Sequence, residues 1–306
     1  MSDLASADAD DLYSLGCAHY NSGQYRDALS ALEKAVELNP QHGYSRYHLG
    51  LTLGELGQYE AALRQLNEAA KLCPDVAEIR YAIGVTLTDL GRWRDAAEAY
   101  MEAIRLRPGY ADALFNLGVA HSELGQRTEE IKAYEEALRS SPTDQQVLGN
   151  LALAHSEARN YEAVMSVSRQ LIHLAPENPR YHFLLAWSLS AVNRSAEAIE
   201  EYQTAIQLRP DFFEAEENLA ALYSALRQDE KAVMAYQRAL AIRPFMARTH
   251  EELSYVYQRM GRIQAAEAAH VKAQRLATDP EANRLISQSG KRRPCLAALD
   301  EGGHLS

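Results

Sequence analysis

Cysteine is scarce and poorly placed for structural work. Cys17, Cys73 and Cys295 are odd in number, far apart and in no C-x-x-C spacing, so neither a disulfide framework nor a zinc site is expected. That usage suits a reducing cytoplasm, which is the expected compartment. Positive charge is in deficit: 31 Lys and Arg against 42 Asp and Glu leave a net charge of −11. A nucleic-acid binder needs a surplus of basic groups to neutralise phosphates, so no nucleic-acid partner is expected. No window approaches 18 unbroken apolar residues, and the leading MSDLASADAD is acidic, without a basic region followed by an apolar one. Neither membrane insertion nor a secretory leader is expected. Catalytic signatures are missing too. There is no G-x-S-x-G, no G-x-x-x-x-G-K-[ST] and no Cys/His constellation; THEEL at 249–253 lacks the second histidine of a metalloprotease, and SGKRR at 289–293 lacks the upstream glycine of a phosphate loop. No enzymatic activity, metal or cofactor is expected.

What the chain does have is a period. Pro40, Pro74, Pro108, Pro142, Pro176, Pro210 and Pro244 stand 34 residues apart. Rows of that length, with proline at position 32, run from Ala9 to Pro280, and the eighth row carries its proline two places late. Position 7 reads Leu15, Leu49, Ile83, Leu117, Leu151, Leu185, Leu219 and Leu253, and position 8 reads Gly16, Gly50, Gly84, Gly118, Ala152, Ala186, Ala220 and Ser254. Position 27 is alanine in every row but the fifth, which has Leu171. The stretch LGLTLGELGQYEAAL at 49–63 looks at first like a phosphate-cradling loop. The period argues otherwise: Gly50 is the small residue that lets two helices approach, and Gly57 sits at position 15, a turn favouring positive φ. Only Gly54 is peculiar to its row.

The pattern of Leu-Gly at 7 and 8, Ala at 20 and 27, aromatic at 24 and Pro at 32, carried by residues such as Leu117, Gly118, Tyr134, Ala137 and Pro142, resembles the tetratricopeptide repeat family over 9–280. The resemblance implies an all-α, right-handed superhelix of eight helix-turn-helix repeats that bind other proteins. The apolar period agrees, with Leu114, Leu117, Gly118 and His121 on one helical face and Ile131, Tyr134, Ala137 and Leu138 on the next. Residues 1–8 read as an acidic lead, 279–288 (DPEANRLISQ) as a capping helix and 289–306 as a flexible basic-then-polar tail. His19, His121 and His155 share position 11, a core place rather than a ligand set. Row 5 departs most from the pattern, with Arg159, Val164, Ser168 and Leu171, and poorer packing with a bend is expected there.

At about 100° per residue, positions 2, 5, 9, 12 and 13 point away from the packed face. The resemblance implies that these, with position 6, line a concave groove. Position 5 supplies Tyr13, Tyr47, Tyr81 and Phe115, then Gly149, Phe183, Glu217 and Glu251; position 9 includes Trp187. Position 13 supplies the acids Glu55, Asp89, Glu123 and Glu157, and position 6 the amides Asn116, Asn150 and Asn218. An aromatic strip beside an acidic edge suits a protein or peptide segment with apolar residues and basic flanks. The asparagines offer a donor and an acceptor each and resemble the backbone-binding ladder of O-linked N-acetylglucosamine transferases. A carboxylate clamp for chaperone tails is absent, since its places hold Tyr13, Cys17, His48, Glu78 and Ala82. The expected function is a non-catalytic interaction scaffold. A self-assembling homo-oligomer and a substrate-recruiting arm of a separate enzyme stand as alternatives.

Overall fold

The computed structural model describes residues 2–279 and Arg284. The expected capping helix at 279–288 and the tail with Lys291, Arg292 and Arg293 therefore lie almost wholly outside the described residues. Among those described there are sixteen helices and no strand, two helices to a row. Row 1 is α1 (Ser2–Asn21) and α2 (Tyr25–Leu38), row 2 is α3 (Gly43–Glu55) and α4 (Tyr59–Leu72), and row 3 is α5 (Ala77–Asp89) and α6 (Trp93–Leu106). Row 4 is α7 (Ala111–Glu123) and α8 (Arg127–Ser140), row 5 is α9 (Gln145–Glu157) and α10 (Tyr161–Leu174), and row 6 is α11 (Pro179–Ala191) and α12 (Ser195–Leu208). Row 7 is α13 (Phe213–Ala225) and α14 (Asp229–Ile242), and row 8 is α15 (Ala247–Arg259) and α16 (Ile263–Thr278). The first helix thus begins inside the acidic lead.

Each row ends for the same local reason. The residue before a proline is pushed out of the α region, and the helix stops there. Asn39 (φ −133°, ψ 85°) and Arg107 (φ −132°, ψ 91°) show it, each donating its backbone N–H to the position-27 carbonyl, Ala35 and Ala103. The turn inside each row is a left-handed cap. Gly23, Gly57, Gly91, Gly125 and Gly261 have φ between 68° and 72°, and the three rows without glycine hold the same conformation with Arg159 (55°), Asn193 (62°) and Arg227 (59°). The paired bonds of the cap recur, as in Gly57 N–H to Gly54 O at 2.8 Å and Gln58 N–H to Leu53 O at 2.8 Å.

The glycines at position 8 are contact residues. A Cβ on Gly50 would lie 2.6 Å from Leu66 Cγ, on Gly84 2.5 Å from Tyr100 Cε1, and on Gly118 2.4 Å from Tyr134 Cε1. The large side chain at position 24 therefore fills the space that glycine vacates. Tyr100, Tyr134, Tyr202 and Tyr236, all at position 24, are fully buried, and each contributes roughly 2–3 kcal/mol of burial. Row 5 reverses the sizes, with Ala152 facing a place held by Ser168, while Val164 stands where six other rows have alanine and Leu171 where all seven do; all four are fully buried. Position 7 shows that burial comes from stacking. It is at most 8% exposed in the later rows, yet Leu15 of row 1, on which no earlier row packs among the described residues, is 48% exposed.

The chain divides into two compact units, Met1–Val147 and Leu148–Ser306, with the boundary inside α9. In the first unit each helix of a row packs on its partner, each second helix packs on the first helix of the next row, and α1, α3, α5 and α7 lie side by side. Leu66, Ile79, Ala96, Tyr100 and Ala103 form the centre of its core. In the second unit α11, α13 and α15 are side by side in the same way, over a core of Phe183, Tyr202, Phe212 and Tyr236.

Position 4 links rows through the preceding proline. Arg46 Nε donates to Pro40 O at 2.9 Å, and His182 and His250 bring Nε2 to Pro176 O at 2.9 Å and Pro244 O at 3.1 Å. Row 7 instead places Glu216 there, 1% exposed, and Arg238 of α14 meets it with two bonds of 2.6 and 2.9 Å.

Candidate functional site

The residues at position 5 of the first unit follow from the packing. Because α1, α3, α5 and α7 are parallel neighbours, Tyr13, Tyr47, Tyr81 and Phe115 recur along one side of the row of helices, each half-buried. Each ring is held by its surroundings rather than left to solvent. Tyr13 meets His42 edge-on at 5.1 Å, Tyr47 meets His48 at 5.1 Å, Tyr81 packs at 5.1 Å from Tyr110, and Phe115 lies 5.9 Å from Tyr134. Partial burial raises the hydroxyls: Tyr13 is pushed up to about 12, and Tyr47 and Tyr81 are raised chiefly by the same desolvation. These are neutral phenols with apolar faces and one donor each across the physiological range.

Between α3 and α5 the strip opens into a cleft of about 420 Å³. Tyr47 and Tyr81 form aromatic walls, Leu51 and Val85 the apolar floor, and Glu55 and Asp89 the rim. Tyr59, at the start of α4, also lines it, as does Gly54. Partial desolvation, reinforced by the charge of Glu55, raises the Asp89 carboxyl above the ordinary range. Tyr59 was not singled out from the sequence, although position 17 is also aromatic in rows 1, 3 and 5 as Tyr25, Trp93 and Tyr161. Position 17 aromatics face position 9 of the next row: Tyr59 and Val85 share the cleft, and Tyr161 meets Trp187 edge-on at 5.4 Å.

The other expected site residues divide between the two units. In the first, Glu123 is exposed, and half-buried Asn116 gives its amide N–H to the Tyr81 hydroxyl at 3.1 Å. One amide donor thus braces an aromatic of the previous row. In the second, Asn150, Glu157 and Trp187 are half-buried, and Asn218 donates to Glu214 O of its own helix at 2.7 Å. Phe183 does not belong with the strip. It is fully buried, 5.0 Å from Phe212 and 5.9 Å from Tyr202, because the bulky residue at position 34 of its own row closes over it. Glu217, next along position 5, is buried enough that its carboxyl is raised, while it accepts from the Thr249 hydroxyl.

No group of three or more metal-ligating side chains occurs among the described residues. Cys17 and Cys73 carry no disulfide. His19 and His121 lie against Gln24 and Gln126, at 2.6 and 2.7 Å, and His155 is buried. No described helix is long and apolar enough to cross a membrane.

The model of the tetratricopeptide repeat matches residues 13–77, 47–91, 81–145, 148–211 and 183–247. The chain belongs to the tetratricopeptide repeat family. Its glycines, prolines and hairpins are those of the repeat, and the fold is a solenoid of such hairpins. No curated protein matches the chain in sequence. Among solved structures it is similar to the C-terminal part of a tetratricopeptide repeat protein from Cytophaga hutchinsonii, at 18% identity and a TM-score of 0.66 over 76% of this chain and 95% of that one. It is also similar to YrrB, described as a tetratricopeptide repeat protein with an unusual peptide-binding site, at 18% identity and 0.54 over 59% and 93%. A third is the structure of Naa15/Naa10 bound to HypK-THB, at 20% identity and 0.61 over 90% of this chain and 43% of that one. At these identities the likeness is one of fold.

Proposed function

We propose that this tetratricopeptide repeat protein is a non-catalytic scaffold that holds an extended segment of a partner protein against the first helices of its rows. The observation that carries the reading is the cleft between α3 and α5, where two braced tyrosines, an apolar floor and two carboxylates face outward together. Rigid half-buried aromatics supply contact area without losing much side-chain entropy, which is what a binding surface for an apolar segment requires. One solved structure similar in fold is described as having a peptide-binding site and another as bound to HypK-THB, which supports the class of function and not the ligand. The acidic rim and the net charge of −11 favour a partner with basic residues flanking its apolar ones. The test is parallel affinity capture with the parent and with Tyr47→Ala/Tyr81→Ala/Phe115→Ala, both shown folded by circular dichroism. A partner held by the parent and lost by the variant supports the groove; equal capture by both sinks it.

Self-association is a second reading. Tyr255, Ile263 and Val271 in row 8 are 57%, 64% and 58% exposed, apolar side chains that a second copy could cover. Sedimentation at rising concentration separates the two: a mass that grows without partner favours assembly, and a constant monomer mass rejects it.

A further inference from the structure

The cleft between α3 and α5 combines features that an apolar ligand alone does not need. Its floor is apolar at Leu51 and Val85, its walls are the faces of Tyr47 and Tyr81, and its rim carries Glu55 and Asp89 with no basic residue in the lining. Several basic side chains of rows 2 and 3 are engaged away from it: Arg46 with Pro40 O and Gln65, Lys71 with Glu68, Arg92 with Asp95, and Arg107 with Glu78. Neither rim carboxylate has a cation partner among the described residues, and the Tyr20 hydroxyl reaches Glu55 Oε1 only at 3.5 Å.

Gly54 is the second observation. It is helical, a Cβ added to it would meet nothing within 4 Å, and it lies in the cleft. Glycine inside a helix weakens it, and no close approach or positive φ calls for one here. Every other row has a larger polar residue at this place: Tyr20, Thr88, Ser122, Ser156, Ser190, Ser224 and Gln258. What Gly54 provides is room.

Resting on the interaction reading above, we propose that this cleft is a subsite for one arginine or lysine side chain of the bound segment, and that Gly54 is the residue that admits it. The match is amphipathic. A long basic side chain lays its methylenes along Leu51 and Val85, its cationic head over the faces of Tyr47 and Tyr81, and its charge against Glu55 and Asp89. A neutral apolar residue would use the floor but leave both carboxylates uncompensated.

A displayed library of random dodecapeptides is panned on the full chain, on Glu55→Gln/Asp89→Asn, on Gly54→Ser and on Tyr47→Ala/Tyr81→Ala. The first two variants alter exposed or open positions and are expected to stay folded, which circular dichroism checks. The expected result is enrichment of one Arg or Lys among peptides selected by the parent. Those peptides should bind Glu55→Gln/Asp89→Asn and Gly54→Ser at least about tenfold more weakly, as for the loss of a charge-assisted contact. Peptides that need Tyr47 and Tyr81 but show no basic enrichment, or that bind the carboxylate variant equally, overturn the subsite and leave the interaction reading standing. Failure to select any peptide that depends on Tyr47 and Tyr81 removes both.

Discussion

The same substitution should have opposite signs at two glycines that occupy different positions of the repeat, Gly118 at position 8 and Gly54 at position 12. At Gly118 an added Cβ falls 2.4, 2.7 and 2.8 Å from Cε1, Cδ1 and Cζ of Tyr134, a ring that is 2% exposed. Gly118→Ala must displace that ring or spread α7 from α8, an overpacking penalty of about 2–3 kcal/mol. Alanine gains about 1 kcal/mol over glycine in a helix, so the net loss is about 1–2 kcal/mol. Rows 6 and 7 carry Ala186 and Ala220 at this position with Tyr202 and Tyr236 fully buried, so a hairpin can open to admit one methyl; that sets the lower end. Gly54→Ala meets nothing within 4 Å and keeps the helix gain, about 1 kcal/mol of added stability. Guanidinium unfolding followed by circular dichroism reads both as shifts of the midpoint. Equal shifts of the same sign would refute the claim that position 8 is a contact and position 12 of row 2 an opening.

Three further outcomes follow from the geometry. Arg227 holds φ at 59°, so Arg227→Gly should gain about 1 kcal/mol while Gly91→Ala, at φ 68°, should lose about as much; midpoints that do not move reject the left-handed turn as a source of strain. Arg238→Met leaves Glu216 buried without its two bonds and should cost about 3 kcal/mol, and a loss under about 0.5 kcal/mol would contradict the pairing. The bond that His182 Nδ1–H donates to the Glu201 carboxylate, with Nε2 against Pro176 O, raises that imidazole above 6.5, so its contribution is full below pH 6.5 and is lost as pH rises through the folded-state value. The stability difference between the parent and His182→Asn should therefore be larger at pH 5.5 than at pH 8.5, and the reverse order would exclude the cationic pair.

The hairpins were legible because their determinants are local and periodic. Proline at position 32 stops a helix through its own predecessor, and glycine at position 15 supplies the cap, so spacing alone marks both. The turns at Arg159, Asn193 and Arg227 carry no such residue and were readable only through their phase. The site was harder to read because groove membership depends on neighbours 29 to 35 residues away. Phe183 shares position 5 with Tyr47 and Tyr81, yet Phe212 closes over it, and nothing within its own helix announces that. Asn116 looked free to bind a peptide backbone, but the hydroxyl of Tyr81, one row back, takes an amide proton. Tyr59 enters the cleft from the start of a second helix, a place that a search confined to the first helices passes over.

The central claim is that the partner lies along the first helices, and site-specific photo-crosslinking tests it most directly. A photoreactive phenylalanine analogue is placed in turn at Leu51 and Val85, which line the cleft, and at Arg64, exposed on α4. The account predicts that one partner segment is cross-linked from positions 51 and 85 and not from position 64. Cross-linking from position 64 with none from 51 or 85 would place the partner on the other face and contradict it.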